Sequence, residues 1–330
     1  MKRLFALCAM LAIAILGYWA WQGVRAPVNN SSPTVTIAVS LTPLAAPIII
    51  AKKQGFFASH GVNVSLLPVH GGVKSFNTLM AGEADLATVS ETVAMFNSFQ
   101  RDDFNILASF VESNNDVKLW SLTLPIHQSL DVLANARIGV VQSSASEFFL
   151  DLMLNLNGLS ELPIRKAYYS PDQLPGALLR GEVDAISIWE PYGYQVMQEA
   201  QQRVSQFNSK GLHNLSFLLA SRSPLNIHQH QRMRQVIAGL NDAIDYIHLH
   251  PDEAKTVVAD YLSMPDNQLA WLWQDYLFRL SLSDALLLSL KNQAMWAREA
   301  GLVAGTEPGF RRLLNPGPLT EATHKASLLK

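Results

Sequence analysis

Cysteine is almost missing. Cys8 stands alone among 330 residues, which excludes an intrachain disulfide framework and a thiolate-bound metal cluster. A surplus of charge is missing too: the formal net charge is -2 and no basic run occurs, so nucleic acid is not an expected partner. The chain contains no G-x-S-x-G elbow, no H-E-x-x-H, no G-x-x-x-x-G-K phosphate loop and no G-x-G-x-x-G fingerprint. Without such a constellation, neither catalysis nor a cofactor is expected. The nine histidines include His228-x-His230 and His248-x-His250, but both pairs lie in helix-like stretches where positions i and i+2 point apart. That spacing gives no reason to expect a metal site.

What is present begins at the amino terminus. Lys2 and Arg3 precede a mostly apolar, uncharged run from Leu4 to Trp21. This is the layout of an export signal, and the run is also just long enough to span a bilayer. Val24-x-Ala26 offers a cleavage site that Pro27 makes a poor one, so residues 1–26 are expected to be either a signal peptide or an uncleaved membrane anchor. Two basic residues inside and the remainder outside fits the positive-inside rule. The periplasm is the expected location, with a flexible tether over residues 27–33.

Beyond the tether the chain repeats itself. Leu79-x-x-Gly82-Glu83-x-Asp85, running on to Glu91, recurs ninety-nine residues later as Leu178-x-x-Gly181-Glu182-x-Asp184, running on to Glu190, with five identities in thirteen positions. The neighbourhoods match in element order. Strand patterns at 34–40, 62–69 and 85–89 alternate with helical ones at 43–54 and 72–82, and strands at 137–141, 164–169 and 184–188 alternate with helices at 146–157 and 172–180. Such alternation predicts an α/β fold with mainly parallel sheets and right-handed crossovers, used twice. Each repeated glycine reads as a helix stop in the left-handed conformation. Strands at 106–111 and 117–123 suit a crossing between lobes, and those at 204–207 and 215–220 suit the return. After that, helical stripes dominate: one from Met233 to Ile247, one from Leu269 to Leu280, and a last long helix after Ser283 that stops at Gly301. The expected division is 34–110 for lobe 1, 111–210 for lobe 2 with its crossing segments, and 211–330 for the return and the carboxyl-terminal helices.

Ala46-Pro47 to Ala51, Gly55-Phe56-Phe57 and Gly61-Val62-x-Val64 resemble the P-x-x-I-A-x-x-x-G-F-F-x-x-x-G-L-x-V opening of the nitrate, sulfonate, taurine and thiamine-precursor solute-binding proteins of ABC importers. Gly71-Gly72, Gly139-x-x-x-Ser143-Ser144, Gly158-Leu159 and Trp189-Glu190-Pro191-Tyr192 continue the likeness over roughly 35–220. The resemblance implies a type II periplasmic-binding-protein fold, two lobes with a ligand held between them, and a permease as partner. A membrane-tethered solute sensor with a separate signalling partner is the alternative. A cleft enzyme of thiamine-pyrimidine type is a further alternative, since fold does not fix function.

In open α/β sheets, ligands bind beyond the carboxyl ends of strands, where helix amino termini present free N–H groups. That rule selects Ser40, Thr42, His70, Gly71, Gly72, Ser90, Ser143, Ser144 and Ser146. The glycine pair equally serves as a plain strand-to-helix turn, and the serines equally serve as N-caps. Glu91 and Glu190 occupy the same place in the two repeats and are expected to face one another across the cleft, favouring an amine or amidine; an acid at a helix start is also a common solvated cap. Trp189 and Tyr192 are placed to stack on a planar guest or to pack in the hinge. The expected ligand is a small anion, a sulfonate or a nitrogen heterocycle, bound by a monomer.

Overall fold

The computed structural model describes residues 34–201 and 203–323. The expected signal or anchor at residues 1–26 and the tether at 27–33 lie outside the described residues.

Two sheets organise the rest. The first has the order β11-β4-β10-β3-β1-β2 and the second the order β7-β6-β8-β5-β9. In the first, β1 (Val35–Ser40), β2 (Val64–Val69) and β3 (Leu86–Ser90) are mutually parallel with β1 central. β6 (Arg137–Val140), β7 (Arg165–Tyr168) and β8 (Ala185–Trp189) repeat that arrangement, with β6 central. The helices between them are α1 (Ala46–Lys53), α2 (Phe56–Ser59), α3 (Gly72–Met80) and α4 (Glu91–Ser98) in the first lobe. In the second they are α5 (Ala145–Leu156), α6 (Leu174–Leu179) and α7 (Tyr192–Glu199).

The repeated motif makes the same bonds twice. Gly82 and Gly181 have φ of 80° and 70°. In the first copy Gly82 N–H donates to Leu79 C=O and Glu83 N–H to Thr78 C=O; in the second Gly181 donates to Leu178 and Glu182 to Ala177. This is a Schellman ending in each lobe. The aspartate then clasps the central strand: Thr36 N–H donates to Asp85 Oδ2 at 2.9 Å, and Arg137 N–H to Asp184 Oδ2 at 2.7 Å.

The sheets are mixed instead of mainly parallel, because the crossing strands enter from the opposite direction. The chain leaves the first sheet through β4 (Phe104–Ser113), crosses at 114–116 and joins the second through β5 (Val117–Ser121). It returns from β9 (Ser205–Gln206) to β10 (Leu215–Arg222), and β4, β5 and β10 all pair antiparallel with their neighbours. α8 (Ile227–Leu249), α9 (Pro251–Leu262) and α10 (Asp266–Trp273) follow, then β11 (Tyr276–Ser281), α11 (Asp284–Glu299), α12 (Phe310–Leu313) and α13 (Gly317–Thr323).

β11 corrects the helical reading of the stripe from Leu269 to Leu280. The helix stops at Trp273, and Tyr276 and Phe278 turn inward while Leu277, half-exposed, turns out. That two-residue alternation lets the segment complete the edge of the first sheet beside β4. The largest apolar core includes Ile48, Phe76, Phe104 and Phe110 of the first lobe and runs on through Ile138, Phe149 and Leu150 of the second; a smaller one, around Trp120, Leu174 and Ile186, lies within the second lobe.

Candidate functional site

One cavity opens between the lobes at the carboxyl ends of β1, β3 and β8. It encloses about 380 Å³ of space between atoms, counting the part open to solvent. Its position follows from the helix starts. Thr42 caps a 3-10 turn (Pro43–Ala45), Gly71 precedes α3, Ser90 caps α4 and Ser144 caps α5, and all four residues line the cavity. Helix starts from both lobes therefore meet at the cavity, and the positive ends of their dipoles make the potential there favourable to hydrogen-bond acceptors.

The lobes are in contact at the mouth. Thr42 Oγ1 donates to Glu190 C=O at 3.1 Å, and His70 Nδ1 lies 3.2 Å from the Tyr192 hydroxyl. Burial pushes that phenol up to about 12, so it is neutral and free to donate. Gly71, with φ of 82°, packs where a Cβ would stand 3.2 Å from Pro171 and 3.3 Å from Trp189. A larger residue there would wedge the lobes apart.

The family profile described as "NMT1/THI5 like" matches residues 42–254. The chain belongs to the NMT1/THI5-like family. A Bacillus subtilis (strain 168) protein named for aliphatic sulfonate binding is 23% identical over 259 residues, covering 76% of this chain and 77% of its own. A Haemophilus influenzae (strain ATCC 51907 / DSM 11121 / KW20 / Rd) protein named for thiamine biosynthesis is 24% identical over 241 residues, covering 70% and 75%. Among solved structures, the alkanesulfonate-binding protein SsuA from Xanthomonas axonopodis pv. citri bound to MOPS superposes with a TM-score of 0.74. At 17% identity, over 86% of this chain and 98% of that one, the likeness is one of fold. The fold is the type II periplasmic-binding-protein fold.

For this NMT1/THI5-like chain the structure brings Ser40, Thr42, Gly71, Gly72, Ser90, Ser144 and Trp189 together around the cavity. His70 and Tyr192 form the latch beside it. Ser143 and Ser146 do not line it. Ser143 N–H donates to Glu147 Oε2, and Ser146 Oγ is used up inside lobe 2, accepting from Val141 N–H and donating to Ser187 C=O at 2.6 Å. Ser144 Oγ is similarly engaged, donating to Val141 C=O at 2.7 Å.

Glu91 and Glu190 do not face one another across the cleft. Glu190 Oε1 accepts from Lys118 Nζ at 2.9 Å and Oε2 from Tyr194 N–H at 2.8 Å, with both side chains 1% exposed. Glu91 turns away into lobe 1, where Ser216 N–H at 2.8 Å and Gln293 Nε2 at 3.2 Å donate to it. Burial pushes Glu91 up to about 8 against those two bonds, and pushes His213 down to about 4. The 3.7 Å between them is therefore a contact of two neutral groups at pH 7, not an ion pair.

Sequence reasoning missed Leu44, Val93, Asp116, Ala145, Leu215 and Phe217, which complete the wall. Asp116 is the one with chemistry. It sits in the polar run at 112–116, which reads as a plain crossing turn. The available signal was the neighbouring Asp116-x-Lys118 pair of opposite charges at the entry of an otherwise apolar strand.

Proposed function

We propose that the protein is an extracytoplasmic solute receptor. It captures one small polar molecule between its lobes and hands it to the permease of an ABC importer, with residues 1–26 serving as export signal or inner-membrane tether. The carrying observation is a cavity ringed by N-caps of both lobes, behind contacts that exist only when the lobes meet, Thr42 with Glu190 and His70 with Tyr192. A guest touching both rings stabilises the closed form by its differential affinity for it. The family membership and the relative named for sulfonate binding support this reading.

Capture is favoured over catalysis even though another relative is named for thiamine biosynthesis. Among the described lining residues no hydroxyl nucleophile is hydrogen-bonded to a side-chain base: Thr42, Ser90 and Ser144 cap helices and Ser40 Oγ has no partner.

A melting screen of the purified chain against nitrate, ethanesulfonate, benzamidine, 4-aminopyrimidine and agmatine tests the proposal. A true guest at a hundred times its Kd adds about 2.7 kcal/mol of stability. The shift should shrink sharply in Gly71→Leu, which holds the lobes apart. If no compound of any class moves the melting temperature or the tryptophan emission, the receptor reading fails.

A further inference from the structure

Asp116 ends the first crossing segment, immediately before β5, and is 2% exposed. Its Oδ1 accepts from the Tyr276 hydroxyl at 3.0 Å, whereas Oδ2 has no partner in the protein. Among the described residues lining the cavity, no other side chain is charged and none is lysine, arginine or histidine. A buried carboxylate oxygen without a donor, on a residue that lines a cavity, is costly unless a guest supplies the missing bond.

The surroundings do not supply it. Lys118, two residues on, commits Nζ to Glu190 Oε1 at 2.9 Å and to Asn115 C=O at 2.5 Å. Asp275 takes Lys210 Nζ at 2.6 Å and Asn115 Nδ2 at 2.8 Å. Asp116, Glu190 and Asp275 thus share only two lysines, and the acid left over is the one that lines the cavity. Burial, reinforced by Glu190 and opposed by Lys118, pushes Asp116 up to about 7.

We propose that Asp116 sets the specificity of the cleft by accepting from an N–H donor on the guest, an amine or amidine, and that it turns away bare anions. This rests on the receptor reading above. The guest's acceptor atoms then face the helix starts at Gly72 and Ala145, and its donor faces Asp116 from the hinge side. Because Asp116 lies on the crossing segment itself, a guest bonded to it is held at the hinge between lobes.

Titration calorimetry at pH 6 and pH 8 with benzamidine, agmatine, 4-aminopyrimidine, ethanesulfonate and nitrate tests the assignment. The first two keep their positive charge across that range and the last two their negative one. A cation binds the ionised carboxylate, so its affinity should rise about tenfold from pH 6 to pH 8. Asp116→Asn should weaken it at least tenfold and abolish the pH slope, which also separates Asp116 from His70 at the latch. An anion bound equally well by the parent and by Asp116→Asn, with benzamidine, agmatine and 4-aminopyrimidine all silent, overturns the proposal and leaves the receptor reading standing. Anion affinity that falls from pH 6 to pH 8 would mean that protonated Asp116 donates to an anion, which overturns it too. Both pH arms need only the parent protein, so a poorly folding variant does not block the test. Silence from all five compounds overturns the receptor reading, and this inference with it.

Discussion

Glu91 and Glu190 end two copies of the same thirteen-residue motif, yet one is a lone acid among neutral partners and the other half of a buried ion pair. The backbone around them is duplicated closely, down to the Schellman bonds and the aspartate clasp on the central strand. The divergence comes from what the rest of the chain lays beside each position. β10 and α11 bring an N–H and an amide to Glu91, while β5 brings Lys118 to Glu190. A repeated helix stop is a local device and survives duplication; the state of a carboxylate belongs to its neighbours.

The largest way to break this comparison is Lys118→Met. It strands Glu190 as an unpaired buried charge, which costs about 3–5 kcal/mol. Urea unfolding at pH 7 should show that loss, whereas Glu91→Gln should cost under about 1 kcal/mol, since it replaces an already neutral acid. Equal losses from the two substitutions would mean that the two environments are not so different.

A smaller effect sharpens the contrast through pH. Glu91 has its folded value raised above the unfolded one, so the native state holds the proton more tightly. Its contribution is complete below about 4.5 and fades as pH rises through about 8. Asp116 acts with the same sign up to about 7. His213, pushed down, has the opposite sign: its contribution is present above about 6.5 and fades toward about 4. Between pH 7 and 8 Glu91 dominates, and stability should fall by about 1 kcal/mol per pH unit. In Glu91→Gln that slope should flatten; a slope that persists would place the titrating group elsewhere.

The smallest effect concerns what the repeats share. Gly82→Ala and Gly181→Ala each force a Cβ into the left-handed region, at about 1 kcal/mol. Nothing lies within 4 Å of either new methyl group, so the two losses should agree within error in denaturant melts. A marked inequality would show that one stop carries tertiary contacts the other lacks.

Much of the architecture was legible because it rests on local periodicity. Alternating strands, capped helices and glycine stops are written in neighbouring residues, and even the Ser283 cap and the Gly301 stop appear where the pattern puts them. β11 escaped because Tyr276, Leu277 and Leu280 continue a helical stripe that only the open edge of β4 converts into a strand. In the site, glycines and N-caps at strand ends were readable, since the geometry of an α/β sheet fixes where such loops gather. Ser146 was legible as a polar residue in the right loop, but not as one whose hydroxyl is spent inside lobe 2.

The sequence by itself determined a duplicated α/β chain with helix starts aimed at one cleft, because capping, periodicity and left-handed glycines act over a few residues. Only the tertiary structure decided which acid meets the cavity. Glu190 drew Lys118, Glu91 drew Ser216 and Gln293, and Asp116 kept one oxygen without a partner, through contacts between residues as far as 202 positions apart. Charge and burial depend on such distant neighbours, and no local pattern records them.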